Sequence, residues 1–129
     1  MSTAYEQLSM FPPVNERAVR QVVAKELKNY KALRVAVQNK KEQAENGIDH
    51  LFPKLSQTQV LNELKAKQIE RALEFTLDEI ERKIIEEKYL SPKRVNDINI
   101  YLDLGLSKDD YYTKKRQAIF QIATALRII

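Results

Sequence analysis

Cysteine is absent from this sequence, so the chain builds neither a disulfide frame nor a thiolate metal site. Glycine and proline are scarce, with two and four in 129 residues. Together with few β-branched alternations, that scarcity argues for helices rather than a turn-rich β architecture. No apolar run approaches the ~18 residues of a membrane span. The opening "MSTAYEQLSM" lacks the charged-then-apolar order of a signal peptide. These absences predict an all-α, cytoplasmic chain with no membrane partner. A glycine-rich phosphate loop, a Ser–His–Asp set and a metal-ligand cluster are also missing. The one histidine, His50, stands beside Asp49 in a proline-containing stretch, a pairing more often structural than catalytic. The expectation is therefore no catalytic residue, no metal, no cofactor and no enzyme.

What is present is charge, unevenly spread. Apolar residues make up 43% and charged residues 31%, a globular balance with enough apolar side chains for one modest core. From Arg17 to Lys41 there are eight basic residues and one acid, Glu26. Residues 46–90 hold seven basic and nine acidic side chains, and residues 91–129 hold seven and four. Two basic ends flank an acidic middle. Basic segments suit a polyanion, although a lysine-rich helix face is as often simply solvated.

Apolar spacing divides the chain. After "FPPVN", Asn15 is placed to cap a helix running to about Glu45, ended by Asn46 and Gly47. Its stripe is Val19, Val22, Val23, Leu27, Tyr30, Leu33 and Val37. Residues 1–46 thus read as an N-terminal arm and basic helix. Residues 47–56, with Pro53, read as a linker, and residues 57–129 as a helical domain. Within it, Ser56 and Gln59 form a capping-box pattern for a helix over about 57–74, with the stripe Val60, Leu61, Leu64, Ile69, Ala72 and Leu73. Thr76 and Glu79 repeat that pattern for a helix bearing Ile80, Ile84, Ile85 and Lys88. A break at Pro92, a short helix over about 95–104, a turn at Gly105 and a helix capped by Ser107 follow. That last stretch, 95–127, predicts a helix-turn-helix.

"ERKIIEEKYL" (81–90), then a break, then "DINIYLDLGLSKDDYYTKKRQAIFQIATAL" resembles the promoter-reading C-terminal domain of bacterial sigma factors. The chain is more closely similar to the ArpU family of phage transcriptional regulators. Those proteins open with a Phe-Pro motif before a basic helix, as "FPPVNERAVRQVV" does, and close with a helix like "SKDDYYTKKRQAI". The resemblance touches both ends of the chain and implies a helix-turn-helix regulator of late phage genes, such as lysis or packaging genes. Two positions depart from the pattern: Tyr101 stands where alanine is usual, and Lys114 where an aliphatic is common.

On the helix after Ser107, Tyr111, Ala118, Ile119, Ile122 and Leu126 recur at helical spacing and are expected to face inward. Lys108, Asp109, Tyr112, Thr113, Lys115 and Arg116 are expected to face out, the first four in the turns that enter a major groove. Ser107 caps this helix and, with its first N–H groups, suits a phosphate. Asp109 can accept from cytosine N4, and Asp110 is expected to complete a capping box with Ser107. Lys114, Lys115 and Arg116 are the expected phosphate contacts, and double-stranded DNA the expected partner. An interaction module docking on RNA polymerase or a packaging component, without base reading, stays open, as does a packaging-enzyme subunit. For the long first helix two arrangements remain: a homodimer built on its stripe, or a fold-back onto the helix over 57–74.

Overall fold

The computed structural model describes residues 15–129; the Phe11-Pro12 motif and the rest of the arm lie outside them. Among the described residues there is helix and no strand. The helices are α1 (Glu16–Glu45), α2 (Gln59–Thr76), α3 (Glu79–Ile85), α4 (Asp97–Asp103) and α5 (Lys108–Ala125). α3 runs on into a π-helical turn over Glu86–Leu90.

α1 begins and ends where its caps dictate. The Asn15 side chain accepts from the Ala18 N–H at 3.2 Å. At the other end Gly47 takes φ +68°, and its N–H and that of Ile48 reach back to the Ala44 and Gln43 carbonyls. That paired closure satisfies carbonyls the helix would otherwise leave open.

Two helix starts differ from the expected pattern. α2 begins at Gln59 with Thr58 as its N-cap residue, and no side chain caps it. The Ser56 hydroxyl instead lies 3.1 Å from that of Thr58. Thr76 belongs to the last turn of α2, where its hydroxyl donates to the Ala72 carbonyl at 2.6 Å. The cap of α3 passes to Asp78. Its carboxylate accepts from the Glu81 N–H at 2.7 Å, and the Glu81 carboxylate accepts from the Asp78 N–H at 2.9 Å. The segment "TLDEIE" contains the same signature twice, two residues apart, and aspartate holds the box that forms.

The main core gathers Val19, Val23, Leu27, Tyr30 and Leu33 from α1 with Ala66, Ile69 and Leu73 from α2. Ile85, Leu90 and the α5 residues Ala118, Ile119, Ile122 and Ala123 complete it. Fully burying one leucine or isoleucine here contributes about 1.5–3 kcal/mol. Val19, Val23, Leu27, Tyr30 and Leu33 of the α1 stripe are thus covered inside one chain, by α2 and α5 together. Val22 and Val37 of that stripe stay exposed, at 43% and 44%. The fold-back alternative is the one that forms, with α5 as an additional partner. A smaller core joins Ile84 of α3, Ile100 of α4 and Tyr111 of α5, bordered by Ile80, Val95, Tyr101, Leu104 and Leu106. It holds the C-terminal helix pair to α3.

The α2 stripe is covered only in its second half. Ala66, Ile69, Ala72 and Leu73 are buried, while Val60, Leu61 and Leu64 are exposed.

Candidate nucleic-acid interface

The α4–turn–α5 unit is shaped by its turn. Gly105 takes φ +68°, and a Cβ placed there meets nothing within 4 Å. Glycine is favoured at this position by its backbone angle alone, not by a close neighbour. The Leu106 N–H donates to the Tyr101 carbonyl at 2.9 Å and the Gly105 N–H to that of Leu102 at 3.2 Å. Leu106 also borders the smaller core, so the same turn that closes α4 anchors the chain entering α5. The Asn96 side chain caps α4, accepting from the Asn99 N–H at 2.9 Å, so this helix starts at Asp97.

α5 is capped as expected: the Ser107 hydroxyl accepts from the Asp110 N–H at 3.1 Å. Asp110 serves the cap only through its backbone N–H, so the expected capping box is half formed, and Asp109 and Asp110 both lie in the first turn, where a negative charge suits the positive end of the helix. Tyr111 is fully buried, and its ring lies 5.6 Å from that of Tyr101. Tyr101 is partly buried, its ring tilted by 50° against that of Tyr111.

Four expected base-reading residues stand clear of the body. Lys108, Asp109 and Thr113 are exposed. Tyr112 is 42% exposed, with its ring edge-on to Tyr111 at 5.1 Å.

The three expected phosphate contacts have partners inside the chain. Lys114 donates to Asp78 at 2.8 Å, Lys115 to Asp97 at 2.9 Å, and Arg116 to Glu16. Lys115 corrects the sequence reading most sharply, since it is only 9% exposed and faces inward. Its position four residues after Tyr111 and three before Ala118 puts it on the inward stripe. Its ammonium lies about 6 Å from three tyrosine ring centres, at 6.0 Å for Tyr89, 5.9 Å for Tyr111 and 5.8 Å for Tyr112.

Asp97 is the acceptor at the centre of this cluster, and sequence reasoning missed it. It accepts from the Tyr111 hydroxyl and the Lys115 ammonium, and Lys88 lies 3.5 Å away. Burial works to raise its pKa, but hydrogen bonds from Tyr111 and Lys115 outweigh it and hold the carboxyl below the usual range. Burial, then the bond to Asp97, pushes the Tyr111 hydroxyl far up. Burial raises Tyr89 to about 12. The available signal was Asn96-Asp97 opening a helix, with a lysine and a tyrosine at helical spacing downstream.

No protein-family model, curated protein or solved structure significantly matches the chain.

Proposed function

We propose that this chain is a sequence-specific, DNA-binding transcriptional regulator of the ArpU kind, acting on late genes of a phage or prophage. The observation that carries the reading is the exposed first face of α5. A tight glycine turn and a buried tyrosine fix this helix on α4, while Lys108, Asp109, Tyr112 and Thr113 stay free on its outer side. A helix held by its inner face and offering donors and acceptors from its first turns suits the major groove.

The test is selection of preferred sites from a random duplex pool, followed by footprinting over a late phage promoter region. Alanine at a base-contacting position among these four is expected to cost about 1–3 kcal/mol of binding and to relax preference at one base pair. Four variants that all keep the wild-type preference sink the reading.

A second reading rests on the outer side of α2. Val60, Leu61, Leu64 and Phe75 are exposed there, Phe75 at 75%. Such a face suits an interaction module that docks on RNA polymerase or a packaging component without reading bases. That reading predicts a chain that selects no DNA sequence.

A further inference from the structure

Lys114, Lys115 and Arg116 of α5 are held by carboxylates, as are Arg34 and Lys40 of α1, whereas one edge of α1 carries cations that are not. Arg17, Arg20, Ala24, Lys28 and Lys31 follow one another at steps of three and four residues and form one edge of α1. No described carboxylate pairs with any of the four basic side chains on this edge. The acids that would offset them are occupied: Glu26 pairs with Lys65 and Glu16 with Arg116. Arg17, Arg20 and Lys28 are exposed.

Two observations place this edge beside α5 and the break before α4. Arg20 lines a shallow groove with Tyr112 and Arg116. Further along, the Lys31 ammonium donates to the Ser91 carbonyl at 3.0 Å, in the break before α4. Lys93 and Arg94, in that same break, are exposed and likewise without a described carboxylate partner. The edge therefore runs from the outer face of the recognition helix to a second pair of free cations. From Arg17 to Lys31 it measures ~21 Å, about six base-pair steps of a duplex.

We infer that this edge of α1 is the chain's principal phosphate-contacting surface, gripping the backbone of duplex DNA beside the groove that α5 enters. The inference rests on the regulator reading above and deepens it. It separates two tasks that the sequence assigned to one helix: α5 distinguishes bases, and α1 supplies the sequence-independent attraction.

The experiment uses the full chain and a random-sequence duplex of about 25 base pairs, with affinity followed by fluorescence anisotropy between roughly 50 and 200 mM salt. In the triple variant Arg17→Gln, Arg20→Gln, Lys28→Gln, the slope of log affinity against log salt is expected to shrink by roughly 2–3. Affinity should fall alike for every sequence, with site preference unchanged. The counterpart Arg17→Lys, Arg20→Lys keeps the charge and should keep the slope. Circular dichroism and thermal melting identify any loss of folding, and the single variants Arg17→Gln and Lys28→Gln, each expected to shrink the slope by about 1, then test the surface in folded protein. A folded triple variant with the wild-type slope overturns the inference while leaving the regulator reading intact. Wild-type protein that binds no duplex overturns the regulator reading itself, and the α1 inference with it. Tighter wild-type binding to single-stranded RNA than to duplex at the same salt overturns the assignment to duplex DNA.

Discussion

The Lys115 ammonium lies 2.9 Å from an Asp97 carboxylate oxygen, joining the helix after the glycine turn to the helix before it. Both side chains are largely withdrawn from solvent, so removing one partner strands the other. Asp97→Ala is expected to cost about 3 kcal/mol in urea denaturation, and Lys115→Met clearly less, because the carboxylate left behind keeps the Tyr111 hydroxyl and Lys88, whereas the ammonium left by Asp97→Ala has no other carboxylate. A loss below about 1 kcal/mol for Asp97→Ala would show that the ion pair is not what holds the helices.

The same carboxyl gives a pH signature. Its folded pKa is depressed, so its contribution is fully present above the ordinary aspartate value of about 4 and is lost as pH falls through the lower folded value. Asp97→Asn is expected to flatten the loss of stability below about pH 4, measured as the denaturation midpoint against pH.

At the alkaline end the sign reverses. Tyr89 is raised from about 10 to about 12 by burial. Its contribution is intact below pH 10 and disappears as pH rises through 12. Tyrosine absorbance near 295 nm should show the exposed rings ionising first and Tyr89 later, together with unfolding. Tyr89→Phe is expected to keep the fold past the pH at which the wild type begins to lose it.

Two positive backbone angles should respond in opposite directions to substitution. Gly105→Ala is expected to cost about 1 kcal/mol, all of it from the angle, since the added methyl has open space. Arg127 sits at φ +61° just past α5, with the Ile128 N–H donating to the Ala123 carbonyl at 2.8 Å. Glycine fits that conformation without strain, so Arg127→Gly is expected to raise stability by up to about 1 kcal/mol in thermal denaturation.

The main core should be sensitive at its centre. Leu27 is fully buried between α1 and the helices that cover it, and Leu27→Ala is expected to cost about 2–5 kcal/mol. A loss below about 1 kcal/mol would mean that α1 is not packed as described.

The long first helix, the glycine turn and the Ser107 cap were legible because each depends on local chemistry: a cap, a left-handed angle, an apolar repeat. The cap of α3 was misplaced by two residues because "TLDEIE" satisfies one local rule at two registers. Only the hydroxyl of Thr76, turned back onto Ala72, settles which is used. Lys115 was misread because its charge was weighed above its position on the inward stripe. Its burial depends on Asp97, eighteen residues earlier, and no local pattern announces such a partner. The α2 stripe failed for the converse reason: apolar spacing identifies a helix face, but what covers that face is decided by distant segments.

The packing of α1 against α5 has a consequence for the order of events on the ribosome. Val19 and Ile122 share one core, yet at about 5–20 residues per second ~5–20 s separate their synthesis. Once Thr76 has been made α1 has α2 to lean on, but it still lacks Ala118, Ile119, Ile122 and Ala123. The nascent chain thus carries a half-covered greasy stripe until α5 emerges. A stalled or truncated product ending before residue 118 is a natural client for holdase chaperones and a target for proteolytic clearance.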